Sequence, residues 1–579
     1  MGLGGGLEYA SRGEGSFTQY GKGWMPHDLA GLVFSGDDVL YEEGPRQIET
    51  FIEDAGEYTA TAYVRSLLEK KVPGGGSPDY FMMTLPGGER RKFDLSGKLV
   101  KIYNPFGKES TVTWSGDEVD TVAVSDGTAD AEFDYTWSSG RLASIAYSLD
   151  STDVRRVSYE YTGSGELQKV IQEEPNGSGG WTAIETIYFG YHSGGAGLLK
   201  FVLGHEAYDR WQSSGGSSGT LSEYADYEYS YNGTGTVSQV KAKGGSYVTN
   251  YAYSWGSSSI TNINHWANKI TETRSDGTVI TYYTNFAGEL ILKKVAKGGN
   301  TWYPIYQQFE SVTGRVTLQA QNSAIASVNE ASPTLVTLQT GSGLIRTIEY
   351  DSSAGLKSGW YVQEGSSGST KAKLGAISYT SHTYDGVSIY KTHQETAYRA
   401  PSPTGANGVT TTHAYTWHVN GGVETNQVKK HTVTLPAVSF AQNGTGMTAT
   451  TESHFDEWGF KDLEVDERGI VTKYAYDRAR GGMTEMILNY EAMPPSPEPS
   501  DMNLTTNFQL DNLGRTTLRL GPVHTIDVGG SPAEIRSGVW TQYLDADDEV
   551  ITIQGYRKII SPSTHTDHTI NPVQITKTY

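Results

Sequence analysis

One short pattern keeps returning along this chain. An aromatic strand ends in a polar residue, a glycine turn follows, and two aliphatic residues three places apart open the return. Tyr161-Thr-Gly-Ser-Gly165-Glu-Leu167-Gln-Lys-Val170 is one copy. Tyr231-Asn-Gly-Thr-Gly235-Thr-Val237-Ser-Gln-Val240 and Phe93-Asp94-Leu-Ser-Gly97-Lys-Leu99-Val-Lys-Ile102 are two more. Trp137-Ser-Ser-Gly140-Arg-Leu142-Ala-Ser-Ile145 is one residue shorter. Looser copies run from Tyr283 to Leu290 and from Tyr350-Asp351 to Leu356. Others are Phe455-Asp456-Glu-Trp-Gly459 and Leu510-Asp511-Asn-Leu-Gly514-Arg515. Each unit is a hairpin too small to bury its own apolar face, so the copies must stack on one another.

Tyr159 and Tyr161, like Tyr227, Tyr229 and Tyr231, occupy alternate positions. That is strand periodicity with the rings on one face. The glycine supplies a backbone angle that residues with side chains adopt at a cost. A short polar side chain before it bonds the local backbone. The aliphatic step carries more information. Leu167 and Val170 have opposite parity, as do Leu99/Ile102, Leu142/Ile145 and Val237/Val240. Either a bulge lies between them or both faces of the sheet are partly covered.

These residues resemble the YD repeats of the RHS family, which also includes the teneurins. The family pattern is close to Tyr-Asp-x-x-Gly-Arg-Leu with a further aliphatic three places on. Gly21-Lys-Gly-Trp24 resembles the glycine-tryptophan opening of many RHS shells. Leu85-Pro-Gly-Gly-Glu-Arg-Arg-Lys-Phe93 resembles the strand before the first repeat. Asp466-Glu-Arg-Gly469-Ile-Val-Thr-Lys-Tyr-Ala-Tyr476-Asp477 is a typical stretch. The resemblance covers roughly residues 17 to 520, and the part from about Asn507 is similar to giant YD-repeat proteins of planctomycete-type bacteria. It implies an all-β fold, a continuous spiral of hairpins forming part of a hollow shell. Many RHS proteins end the shell at an Asp-Pro-x-Gly motif, where an aspartate helps release an enclosed C-terminal toxin. This chain has no Asp-Pro dipeptide, and Pro105-Phe-Gly107 follows Asn104. Self-cleavage and cargo are therefore not expected within it.

Composition agrees with a large, thin, strand-rich structure. Only 36% of the 579 residues are hydrophobic, 38 are tyrosine and 69 are glycine, a balance that suits many turns and two partly wet faces. The formal net charge of −21 disfavours nucleic acid, which needs clustered Lys and Arg. Cysteine is absent, so there is no disulfide framework and no thiol site. No window of about 18 apolar residues spans a bilayer, and Met1-Gly-Leu-Gly-Gly-Gly-Leu lacks the basic and apolar regions of a secretory signal. Four stretches follow: a flexible glycine-rich start over 1–16, the repeat shell over 17–490, a proline-rich loop over 491–503, and further repeat strands over 504–579. Ala60–Lys71 fits a helix or a strand with a charged turn. Ile575-Thr-Lys-Thr-Tyr579 reads as the first half of another repeat, so a fragment of a longer protein is expected.

Candidate reactive groups yield to structural readings. His413 and His418 are five apart and face opposite ways on a strand, which excludes a shared metal without a bulge. His205, Glu206 and Asp209 precede a serine-glycine loop and read as a solvated hairpin. Asp545-Ala-Asp-Asp-Glu549 lacks the glycine and distant glutamate of a calcium loop and reads as an acidic turn. His565 and His568 read as a polar loop beside Pro562. No catalytic, cofactor or metal residue is expected. The expected role is a non-enzymatic shell for encapsulation or surface display within a larger secreted or cell-surface protein, with the rest of a parent chain or an enclosed cargo as partner. The alternative is adhesion to glycans or to a cell.

Overall fold

The computed structural model describes residues 7–9, 19, 24–26, 30–43, 47–60, 66–73, 79–125, 127, 129–193, 197–256, 262–366, 370–400, 402–490, 502–528, 530–545, 549–561 and 563–577. The fold is all-β, and nearly every strand pairs antiparallel with the one that follows it in sequence. Short turns leave no room for any other pairing, so the chain is one continuous ribbon of hairpins. Among the described residues no helix is long and apolar enough to cross a membrane.

The ribbon begins by closing on itself. Eight strands, Gly31–Ser35, Asp38–Glu43, Gln47–Asp54, Glu57–Ala60, Leu67–Lys71, Tyr80–Thr84, Arg90–Phe93 and Leu99–Tyr103, pair in order. A bridge between Gly31 and Lys98, and a hydrogen bond from Leu32 N to Gly97 O at 3.0 Å, join the last strand to the first. A ring of about eight strands is just wide enough for side chains to fill. Tyr41, Phe51, Leu68, Met83, Phe93 and Leu99 fill this one completely. Gly97 is the tight point. Its φ is +90°, and a Cβ there would sit 2.1 Å from Leu32 O.

Later hairpins do not close again but wind outward. Arg90 meets Asp385, Asn104 meets Glu457, and Arg155 meets Asp545. The inner turn advances 65 residues (155 − 90) while the outer advances 160 (545 − 385). Among the described residues the outer stretch holds ten strands, from Val387–Ala400 to Ser531–Leu544, against six from Arg90–Phe93 to Arg141–Leu149. Several of them, such as Val387–Ala400 and Ala406–Asn420, are longer, at 14 and 15 residues. The chain exposes 30278 Å², whereas a compact globule of 63.0 kDa exposes about 20,000 Å². The excess is what a thin wall with two wet faces requires.

Two segments depart from the sequence expectations. The Gly204–Asp209 stretch is not a hairpin: His205–Ser213 and Leu221–Tyr224 are α-helical, joined by a 3-10 turn at Ser218–Thr220. Ala207 and Trp211, one helical turn apart, bury with Leu221 and Ala225 against Phe201 and Leu203. This apolar spacing outweighs the glycine and serine content that suggested a loop. His565 and His568 lie in the strand Thr564–Lys577, not a loop, because twelve register positions hold it to Glu549–Ser561. Within 1–16, Leu7–Tyr9 pairs with Trp24–Pro26. Of the other regions, Ala60–Lys71 ends as the strand Leu67–Lys71, with 61–65 outside the described residues. The proline-rich 491–501 and the Gly21-Lys-Gly lead to Trp24 also lie outside them.

Candidate functional site: the repeat turn and the seam between turns

The repeat is a specific five-residue turn. At Asp456, the backbone N–H bonds Phe460 O at 2.9 Å, and Gly459 N–H bonds Asp456 O at 3.1 Å. The Asp456 Oδ1 then accepts the N–H groups of Trp458 and Phe460, both at 2.9 Å. The same four bonds recur at Asp94, Asn104, Asn232, Asn285, Asp466 and Asp511. Thr162 substitutes its hydroxyl in the copy at Tyr161, accepting from Glu166 N at 3.1 Å. Gly97, Gly165, Gly235, Gly459 and Gly514 all have φ between 76° and 93°, the left-handed region that glycine tolerates. Tyr350-Asp351 carries one extra residue, with Gly355 N–H on Asp351 O at 2.8 Å. Tyr476-Asp477 departs further. Asp477 accepts Arg480 N and pairs with the Arg480 guanidinium at 2.5 Å.

The three-residue aliphatic step is a bulge. Tyr161 lies opposite Leu167, but Tyr159 lies opposite Val170, so Gln168 is the extra residue. Both aliphatics therefore share the face of the tyrosines. Tyr231/Val237 with Tyr229/Val240, and Trp137/Leu142 with Tyr135/Ile145, repeat the shift.

A bulge leaves a carbonyl without its ladder partner, and the next repeat satisfies it. Tyr161 OH donates to Leu142 O at 2.9 Å, Tyr191 OH to Leu167 O at 2.5 Å and Tyr253 OH to Val237 O at 2.8 Å. Tyr350 OH on Val316 O and Tyr543 OH on Thr516 O continue the series at 2.9 and 3.2 Å. Trp114 Nε1–H does the same for Leu99 O at 2.8 Å. The cation after the glycine stacks on that same ring: Arg141 on Tyr161, Arg315 on Tyr350, Arg515 on Tyr543 and Lys98 on Trp114, at 4.2 to 5.6 Å. Each aromatic ring thus locks its own hairpin to the previous one. The motif names Tyr161 and Tyr350, but it gives no signal for Trp114, Tyr191 or Tyr253 as donors.

A repeat is two strands long, so its turns return to one rim of the ribbon. The turns at Gly97, Gly140, Gly165, Gly235, Gly459 and Gly514 share that rim. The helical insertion and the connections 321–343 and 436–448 fall on the other. Where the ribbon overlaps itself, the repeat rim of the outer turn sits on the opposite rim of the inner turn. This seam is ionic and aromatic. Arg90 bonds Asp385 at 3.0 Å between the rings of Tyr103 and Tyr384. Lys108 bonds Glu457 at 2.9 Å over Trp458, and Asn104 Nδ2–H donates to Glu457 O at 3.0 Å. Phe106 is buried edge-on to His418 at 5.8 Å. Asp545 bridges Arg155 at 2.5 Å and Arg515 at 2.6 Å, while Arg515 also holds Asp511. Burial pushes the Asp545 carboxyl up, but hydrogen bonds from Arg515 and Arg155 outweigh it and hold the group below the usual carboxylate range. In all three ion pairs the inner turn supplies the cation and the outer turn the carboxylate.

The remaining sequence candidates are dispersed. His413 Nδ1 lies 3.0 Å from His431 Nε2, whereas His418 Nε2 lies 2.7 Å from Phe455 O. His205 Nε2 is 3.6 Å from Asp209 on the helix, but Glu206 pairs with Arg210 at 3.3 Å, so the three do not converge. His568 stacks on Tyr556 at 4.7 Å. Of the acidic turn, Asp545 is the seam bridge just described, and 546–548 lie outside the described residues.

The chain is thus a hairpin-repeat protein wound on itself. No family model matches it, and no curated protein matches it. Among solved structures, "TcdB2-TccC3" aligns over 94% of this chain and 34% of its own, at 11% identity and a TM-score of 0.26. "TcdB2-TccC3-Cdc42" aligns over 93% and 32%, at 12% identity and a TM-score of 0.27. A porin-like protein from Bacteroides uniformis aligns over 57% and 92%, at 11% identity and a TM-score of 0.18. The chain spans about a third of the length of the first two. At these TM-scores the likenesses carry no weight for family or function, and the fold rests on the chain's own topology.

Proposed function

We propose that this chain is a wall module of an RHS-like β shell, serving encapsulation or surface display in a larger protein rather than catalysis. The observation that carries the reading is the two-turn winding: a filled eight-stranded ring at the inner end, a wider turn stacked on it through the seam, and half again the surface of a globule. The resemblance of the repeats to RHS and YD-repeat proteins supports the same reading. On it the partner is the rest of a parent chain or an enclosed, toxin-like cargo, and the setting is outside the cell or at its surface. That His418 and the seam carboxylate Asp545 are engaged in structural bonds supports a non-enzymatic role.

Small-angle scattering of the purified chain tests the reading. A compact globule of this length has a radius of gyration of about 25 Å. A wall around solvent gives a clearly larger value, and a value near 25 Å refutes it. A second reading, glycan adhesion, is favoured by Tyr247 and Trp255, residues 61% and 67% exposed at the two ends of one strand face. Sugars stack on such rings. A glycan array on which Tyr247→Ala and Trp255→Ala match the parent chain removes that reading.

A further inference from the structure

Two paired strands, Ala406–Asn420 and Val423–Leu435, carry seam residues at one end and a histidine pair further up. At the seam, His418 packs on Phe106 and Asn426 lies against Gly88. Higher up, His431 is in register with Tyr415, next to His413. The rings of His413 and His431 stack at 5.2 Å and 16°, with Nδ1 of His413 at 3.0 Å from Nε2 of His431. Tyr415 stacks on His431 at 4.7 Å, and Trp417 stacks on His382 at 4.0 Å.

A gap of 3.0 Å between two ring nitrogens holds one hydrogen, donated by one and accepted by the other. One extra proton keeps that bond if it goes on the far nitrogen of the donor ring, although Nε2 of His413 is buried without a hydrogen-bond partner. A second makes both rings imidazolium. N–H then meets N–H, and the contact must break. The surroundings add to that cost. On the neighbouring strand Val387–Ala400 stand Lys391, Glu395 and, at a bulge, His393. His382 comes from Ala372–Tyr384. Across from His431, Ser453 is uncharged, while Glu452 and His454 point to the other face and bond each other and Lys430. Glu395 is a carboxylate whose charge acts on Tyr415. Burial, then His413, then Lys391 hold the His431 ring below the ordinary imidazole range.

We propose that the His413–His431 contact is an acid-sensitive latch: it ties the two strands of this hairpin together at neutral pH and releases them on acidification, loosening the seam contacts that His418 and Asn426 make nearer its tip. The sign follows from the depressed folded value. The contribution is full above the unfolded histidine value of about 6.5 and is lost as pH falls from there through the folded value.

Hydrogen exchange of the whole chain, compared at about pH 7.5 and about pH 5 and corrected for intrinsic rates, tests the latch. Peptides spanning 406–435 and 85–108 should exchange several-fold faster in acid. Peptides from the ring over 31–43 should not. His413→Phe, which stacks but cannot charge, and His431→Gln should each abolish the acceleration. No acceleration in the parent chain, or equal acceleration in both variants, overturns the proposal. Should the variants fail to fold, carbon-labelled histidine NMR of the parent chain decides. One ring of the pair taking its proton well before the other supports the latch, and two rings titrating together at the ordinary histidine value refute it.

Discussion

Asp545→Asn should open the seam while leaving both turns of the ribbon folded. The substitution keeps the size of the side chain and removes the charge that two arginines share. Side-chain exposure is 12% for Arg155, 19% for Asp545 and 33% for Arg515. Arg155 is the more vulnerable, because its Nε and Nη1 are buried without hydrogen-bond partners and its Nη2 bond goes to Asp545. Arg515 keeps Asp511. An exposed pair contributes about 0–1 kcal/mol, whereas orphaning a buried charge costs about 3–5 kcal/mol. This site lies between the two, so about 2–3 kcal/mol is expected, or about 30- to 150-fold in seam opening. Native-state hydrogen exchange over 152–161 and 511–544 reads that opening directly. The cycle with Arg155→Met separates the pair from the orphaned charge: the double variant should recover most of the loss. An exchange increase below about threefold for Asp545→Asn, or a double variant no better than the single, would show that the seam does not depend on this bridge. Acid gives an independent arm. The depressed carboxyl contributes fully above an unfolded value of about 3.9 and loses its contribution as pH falls through the folded value. The Arg155–Asp545 part of the seam, read over 152–161, should therefore weaken further below about pH 4 in the parent chain, and that local response should be missing from Asp545→Asn.

Gly97→Ala and Gly140→Ala form a matched pair. Both have positive φ, but a Cβ at 97 meets Leu32 O at 2.1 Å and one at 140 meets nothing within 4 Å. Denaturant melts should show about 1 kcal/mol lost at 140 and at least about 3 kcal/mol at 97; equal losses would deny that Gly97 closes the ring. Tyr161→Phe removes the donor to Leu142 O and should cost about 1 kcal/mol, read as a loss of amide protection over 141–149; unchanged protection would mean the hydroxyl does not lock the repeats. Asp466→Asn keeps the Oδ1 acceptor of its turn and should be near neutral, whereas Asp466→Ala should cost about 1 kcal/mol. Equal melts for the two would show that the acceptor does not stabilise the turn.

The repeat turn was legible because it is local: its glycine, its acceptor and its aromatic lie within seven residues, and the bulge was one of the two solutions the aliphatic spacing allowed. Tyr161, Leu167 and Gly165 could be assigned their places without knowing anything about the rest of the chain. Trp114 and Tyr191 could not be assigned as donors, because their acceptors lie a hairpin away on a carbonyl that only the bulge exposes. The insertion at His205–Ser213 was misread since serine and glycine counts outweigh four apolar positions until Phe201 and Leu203 provide a surface for them. The seam was invisible: Arg90, Lys108 and Arg155 are ordinary surface cations until the outer turn brings Asp385, Glu457 and Asp545 over them, hundreds of residues later. By itself the sequence determined the hairpin, its turn and the face its rings occupy, all set by backbone sterics and short-range hydrogen bonds. Only the tertiary structure decided how tightly the ribbon curls and what meets across its rims, because the accumulated twist of the ribbon sets which distant residues lie together.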